Sequence, residues 1–110
     1  MGTQITENHT FINGHKIAFR EQGAGSPVIL IHGIPTNSLM WRDIIPKLAK
    51  THRVIAPDLL NYGQSAKPIS ADVSINAQSH ILVKVMDALG APQADIVAHD
   101  IGDRINRFLG

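Results

Sequence analysis

The chain contains no cysteine, so neither a disulfide framework nor a thiolate zinc site is available to it. Charge is scarce as well, at 17% Asp, Glu, Lys and Arg, and it nearly cancels to a net +1. The basic residues are scattered from Lys16 to Arg107 without a run, so the sequence offers no electrostatic footprint for nucleic acid or an anionic membrane. Aromatics make up only 5% of the residues, and no stretch approaches the ~18 consecutive apolar residues of a membrane span. Residues 1–10 are polar and lack a basic segment followed by an apolar one, which leads to the expectation of a cytoplasmic protein. What is plentiful is apolar content, 44% of 110 residues, enough to exclude disorder and to build one globular domain.

The pattern of that apolar content predicts an α/β fold entered through a hairpin. Thr10-Phe11-Ile12 and His15 to Phe19 are β-leaning runs flanking Asn13-Gly14, the pair preferred where a two-residue turn needs positive φ twice. Val28-Ile29-Leu30-Ile31, Val54-Ile55-Ala56 and Ile96-Val97-Ala98 are unbroken apolar runs suited to strands buried on both faces. Between the first two, Leu39, Met40, Ile44, Ile45, Leu48 and Ala49 share one face of a helix predicted over 38–50. Between the last two, Ile75, Leu82, Val85, Met86 and Leu89 share one face of a helix over 74–89, with Ser74 as N-cap and Gly90 as the stop. Alternating strands and helices of this length imply right-handed βαβ units, a parallel sheet, and working groups beyond the carboxyl ends of its strands.

Three loops occupy those ends, at 32–35, 57–68 and 99–103. The third, Ala98-His99-Asp100-Ile101-Gly102, runs from a buried strand into a helix start in the form small-x-acid-x-Gly. A sharp turn of this shape exposes one side chain above the sheet, and here it is Asp100. A carboxylate there can displace a leaving group from saturated carbon and form an alkyl ester, which water must then hydrolyse. The N–H groups opening the following helix, Ile101 foremost, suit the oxyanion of that second step. The bland alternative is an acidic N-cap.

These residues resemble the α/β-hydrolase fold, and within it the branch with an aspartate nucleophile: epoxide hydrolases and the haloalkane and haloacid dehalogenases. The resemblance rests on His32-Gly33-Ile34-Pro35, Met40-Trp41, the run Pro57-Asp58-Leu59-Leu60-Asn61-Tyr62-Gly63-Gln64-Ser65 with Lys67-Pro68, and His99-Asp100-Ile101-Gly102, in that order from about residue 10 to 102. It implies Asp100 as nucleophile and the Ile34 and Ile101 N–H groups as oxyanion hole. It sets His32, Gly33, Pro35, Trp41, His99 and Arg104 near the substrate, a small organic electrophile, with no cofactor.

The departures narrow the substrate. Haloalkane dehalogenases often carry Asn after His-Gly and Trp after the nucleophile; Ile34 and Ile101 stand there instead, which weakens the case for alkyl halides. Fluoroacetate-type enzymes pair two arginines, of which only Arg104 is matched. Residues 103–110 are charged and unlike the small, apolar helix of the family, as a frameshifted end after Gly102 would also be. The reading is therefore a partial domain over 1–110, the N-terminal half of such a hydrolase without lid, catalytic His or acid, expected to stop at a stoichiometric ester.

Several features carry blander readings. His9, His15, His52 and His80 sit away from the loops, His32 more often makes a structural hydrogen bond, and His99 diverges from its neighbour. Asp58 resembles a second carboxylate but more often fixes its own loop. Trp41 and Met40, at helical spacing with Ile44 and Ile45, are more often core. Gly23-Ala24-Gly25 precedes a strand and so fails the dinucleotide fingerprint, and no Gly-Lys-Ser/Thr loop or His-x-x-x-His pair exists. Ser65 and Ser79 are not at an elbow. The rival class is a non-catalytic remnant or interaction module, self-associating through an open sheet edge beside the strand that ends at Ala98.

Overall fold

The structure, a computed structural model, describes residues 5–32, 37–68, 74–91 and 93–98. Its strands are β1 (Thr6–Ile12), β2 (His15–Gln22), β3 (Ser26–Ile31), β4 (His52–Pro57) and β5 (Asp95–Ala98). They form one sheet in the order β1-β2-β4-β3-β5. The hairpin pairs antiparallel with register Ile12↔His15, and Asn13 and Gly14 take φ of 53° and 82°, the doubly positive turn that the sequence predicts. β2 pairs antiparallel with β4, whereas β3 pairs parallel with both β4 and β5. The α/β class and the hairpin entry are as expected.

Both faces of the central strands are covered, which is why their sequences are continuously apolar. Ile29, Ile31 and Ile55 point to one face, where Leu82 and Met86 of α2 (Ile75–Ala88) close over them. Val28, Leu30, Val54 and Ala56 point to the other, against Trp41 and Ile45. α2 begins where Ser74 Oγ accepts the Ala77 N–H at 3.2 Å. It ends with Gly90 N–H on the Asp87 carbonyl and Ala91 N–H on the Met86 carbonyl, a Schellman closure whose apolar contact is Ala91 with Met86. Of its predicted face, Leu82, Val85 and Met86 are buried and Leu89 partly so, while the Ile75 side chain lies outside the described residues.

The first crossover differs from expectation. Instead of one helix over 38–50 there is a 3-10 helix at Ser38–Trp41, a turn, and the four-residue helix α1 (Ile45–Leu48). The cause is Pro46, which lacks an N–H and whose ring excludes the carbonyl four residues earlier, so no α-helix runs through it from the amino side. The predicted apolar face is broken accordingly: Trp41 and Ile45 are buried, but Leu39 and Ile44 are 43% and 41% exposed.

Candidate active site at the carboxyl ends of the strands

β3 ends at Ile31 and delivers His32 into the interior, with 0% of its surface exposed. The Leu59 N–H, just past β4, donates to His32 Nε2 at 3.0 Å. That nitrogen therefore carries no proton. The ring meets Tyr62 edge-on, with centroids 5.5 Å apart. His32 is thus the structural hydrogen-bonding histidine of the two readings its position allows.

The loop leaving β4 is fixed by its own polar groups. Asp58 is 3% exposed; its Oδ1 accepts the Ser38 N–H at 2.7 Å and its Oδ2 accepts the Gln64 N–H at 3.0 Å. The sequence reading of Asp58 as a loop-fixing residue holds, and the bond to Ser38 extends its reach to the first crossover. Gly63 is required beside it: φ is +54°, and a Cβ would stand 2.4 Å from Asp58 Oδ2. Asn61 adopts φ of 76°, the left-handed conformation that Asn tolerates better than most residues, while its N–H reaches the Ala66 carbonyl at 2.9 Å. Ser65 Oγ donates to the Asp58 carbonyl at 2.6 Å and accepts the Ala18 N–H at 2.8 Å. Its hydroxyl is committed to the loop, in keeping with a serine that is not at an elbow.

Two residues that sequence reasoning missed complete this framework. Gln78 on α2 grips the Leu60 backbone with both ends of its amide, accepting the N–H at 3.2 Å and donating to the carbonyl at 2.9 Å. The signal was available, since 78 falls on the apolar face of α2, where a polar residue needs a partner. Arg20 donates from Nε to Ser38 Oγ at 3.1 Å and pairs with Glu7 at 2.8 Å. No sequence pattern marks that contact.

Trp41 is buried, 6% exposed, as the core reading expects, and its Nε1 has no hydrogen-bond partner among the described residues. Gly33, Ile34, Pro35, His99, Asp100, Ile101 and Arg104 lie outside the described residues. The described strands nevertheless fix where two of these segments leave the sheet. β3 and β5 are parallel neighbours in register Ile31↔Ala98, so His32 and the segment after Ala98 leave adjacent strands at the same end. This is the crevice position in which open α/β sheets work. Among the described residues, no helix is long and apolar enough to cross a membrane.

Residues 26–105 match the alpha/beta hydrolase fold family. The chain belongs to that family. Within this α/β-hydrolase fold, the chain is 33% identical over 105 residues to a soluble epoxide hydrolase of Corynebacterium sp. strain C12, covering 96% of this chain and 36% of that protein. It is 43% identical over 89 residues to a haloalkane dehalogenase of Mesorhizobium japonicum, covering 78% of this chain and 28% of the relative. Among solved structures, a haloalkane dehalogenase loop variant from Bradyrhizobium elkanii superposes with a TM-score of 0.90 at 37% identity, covering 96% of this chain and 35% of that one. The chain thus spans about a third of the length of these α/β-hydrolase relatives.

Proposed function

We propose that this chain carries the nucleophile-bearing part of a hydrolase that attacks small organic electrophiles, with Asp100 as the nucleophile. The observation that carries this reading is the motif Ala98-His99-Asp100-Ile101-Gly102, which follows directly on β5, the strand parallel to and paired with β3. An acid at the exposed position of such a turn supports attack on saturated carbon better than on an acyl carbon. The chain's likeness to a soluble epoxide hydrolase and to a haloalkane dehalogenase supports the same chemistry.

In the first step an Asp100 oxygen bonds to the substrate carbon as the carbon–oxygen bond of an epoxide, or a carbon–halogen bond, breaks. The electron pair leaves with the departing atom, and an epoxide oxygen takes up a proton from solvent water. In the second step a nucleophile adds to the ester carbonyl, and the N–H groups of Ile34 and Ile101 stabilise the oxyanion. Collapse expels the substrate oxygen as an alcohol. Ile34 and Ile101 offer no side-chain donors to a halide, so epoxides are favoured over alkyl halides. Turnover needs a general base on the attacking water. His32 Nε2 is engaged by the Leu59 N–H, so His32 is not placed to supply that base. Intact-mass analysis with a terminal epoxide tests this: one adduct is expected on Asp100, and none in Asp100→Asn.

A second reading is favoured by the position of β5 at the end of the sheet, with Val97 44% exposed. A strand there can pair with another chain, making self-association the function of the edge.

A further inference from the structure

We propose that Asp58 is a positioning residue for the second chemical step, acting through the Ser38 N–H; this rests on the reading of Asp100 and Ile34 given above. The chain between His32 and Asn37 includes Ile34, and both of its flanks are held by consecutive residues at the end of β4. Leu59 holds one flank through His32 Nε2 at 3.0 Å, and Asp58 holds the other through the Ser38 N–H at 2.7 Å. One peptide bond separates the two anchors, so two consecutive residues just past β4 set the spacing between the flanks.

The Asp58 carboxylate is poorly placed to move. Its second oxygen is occupied by the Gln64 N–H, Gly63 leaves no space beside it, and the group is 3% exposed. Hydrogen bonds to a buried carboxylate are charge-assisted and roughly twice as strong as neutral ones. Ser38 is held from its other side by Arg20 Nε at 3.1 Å, and Arg20 by Glu7. Glu7, Arg20, Ser38, Asp58 and Gln64 thus form a continuous chain of polar contacts that passes through Ser38, the flank of the oxyanion loop. A misplaced flank carries the Ile34 N–H away from the oxygen it must meet, and donor geometry is what oxyanion stabilisation depends on.

The two chemical steps separate this role from general support of the fold. Alkylation of Asp100 develops no oxyanion on its carbonyl, whereas cleavage of the ester does. Hydroxylamine can stand in for activated water: it adds to the ester carbonyl, loses a proton, and expels the substrate alcohol, leaving a hydroxamate on Asp100. The rates of ester formation and hydroxylamine release are therefore measured by intact mass, using a terminal epoxide, on the native chain and three variants. Asp58→Asn removes one of the two acceptors. Ser38→Pro removes the N–H while suiting the first position of a helix, and Asn37 before it is already extended at φ −153° and ψ −172°. Ser38→Ala keeps the N–H and loses only the hydroxyl.

The expected result is a ratio of release to formation lowered tenfold or more in Asp58→Asn and Ser38→Pro, toward the ~10²-fold cost of losing one oxyanion donor, and lowered much less in Ser38→Ala. If Asp58→Asn does not fold, the Ser38 pair decides. An unchanged ratio, or equal losses in Ser38→Pro and Ser38→Ala, overturns the proposal. No adduct on the native chain sinks the Asp100 reading first, and the positioning role with it.

Discussion

The Leu59 N–H and the His32 imidazole meet at 3.0 Å in the interior, joining the ends of two neighbouring parallel strands through a side chain with no exposed surface. His32→Ala leaves that N–H without an acceptor and opens a cavity against Tyr62. A loss of at least ~1–3 kcal/mol is expected from the orphaned donor alone. Urea unfolding checks this, and an unchanged midpoint would show that the bond contributes nothing.

Gly63→Ala should destabilise the chain even though it adds a single carbon. A left-handed alanine costs roughly 1–2 kcal/mol, and the new Cβ must displace Asp58 Oδ2 from a 2.4 Å approach. Thermal unfolding should shift down by roughly 4–8 °C per kcal/mol for a domain of about this size. Combining the change with Asp58→Ala, which removes the clashing oxygens, should give less than the sum of the two losses, since neighbouring sites do not add.

Replacing Gln78 with leucine conserves apolar character on α2 and removes both partners of the buried Leu60 peptide groups. The expected loss is ~2 kcal/mol or more, because each unsatisfied buried group costs ~1–3 kcal/mol. Amide exchange should rise at Leu60 ahead of the strands. A variant as stable as the native chain would mean that the Gln78 amide is not what holds this loop.

Among the described strands β5 is the last of the sheet, and Val97 presents an exposed apolar side chain on it. Sedimentation should show concentration-dependent association of the chain, and Val97→Lys should weaken it without lowering the unfolding temperature, as charged edge residues do elsewhere. A monomer at every concentration would remove the self-association reading.

What the sequence made legible was what is local or periodic. Asn13-Gly14 specifies its turn by backbone conformation, and Ser74 and Gly90 bound α2 by groups within four residues of each helix end. The continuous apolar runs at 28–31 and 54–56 follow from burial on both faces. The first crossover departs from its apolar spacing because the ring of Pro46 overrides that spacing. The polar framework was largely hidden. Asp58 to Ser38 spans 20 residues, and Arg20 to Ser38 and Gln78 to Leu60 span 18 each, so these pairings come from the fold and not from any period in the chain. Gln78 is marked in the sequence as a polar residue on an apolar helix face.

The most direct test of the central claim is the site and stoichiometry of covalent modification. The chain is incubated with a terminal epoxide, its mass is measured intact, and the adduct is located by peptide fragmentation. The account predicts a single ester per chain on Asp100, discharged by hydroxylamine and absent from Asp100→Asn. An adduct that persists in Asp100→Asn, or a native chain left unmodified by epoxide and haloacid alike, would contradict it.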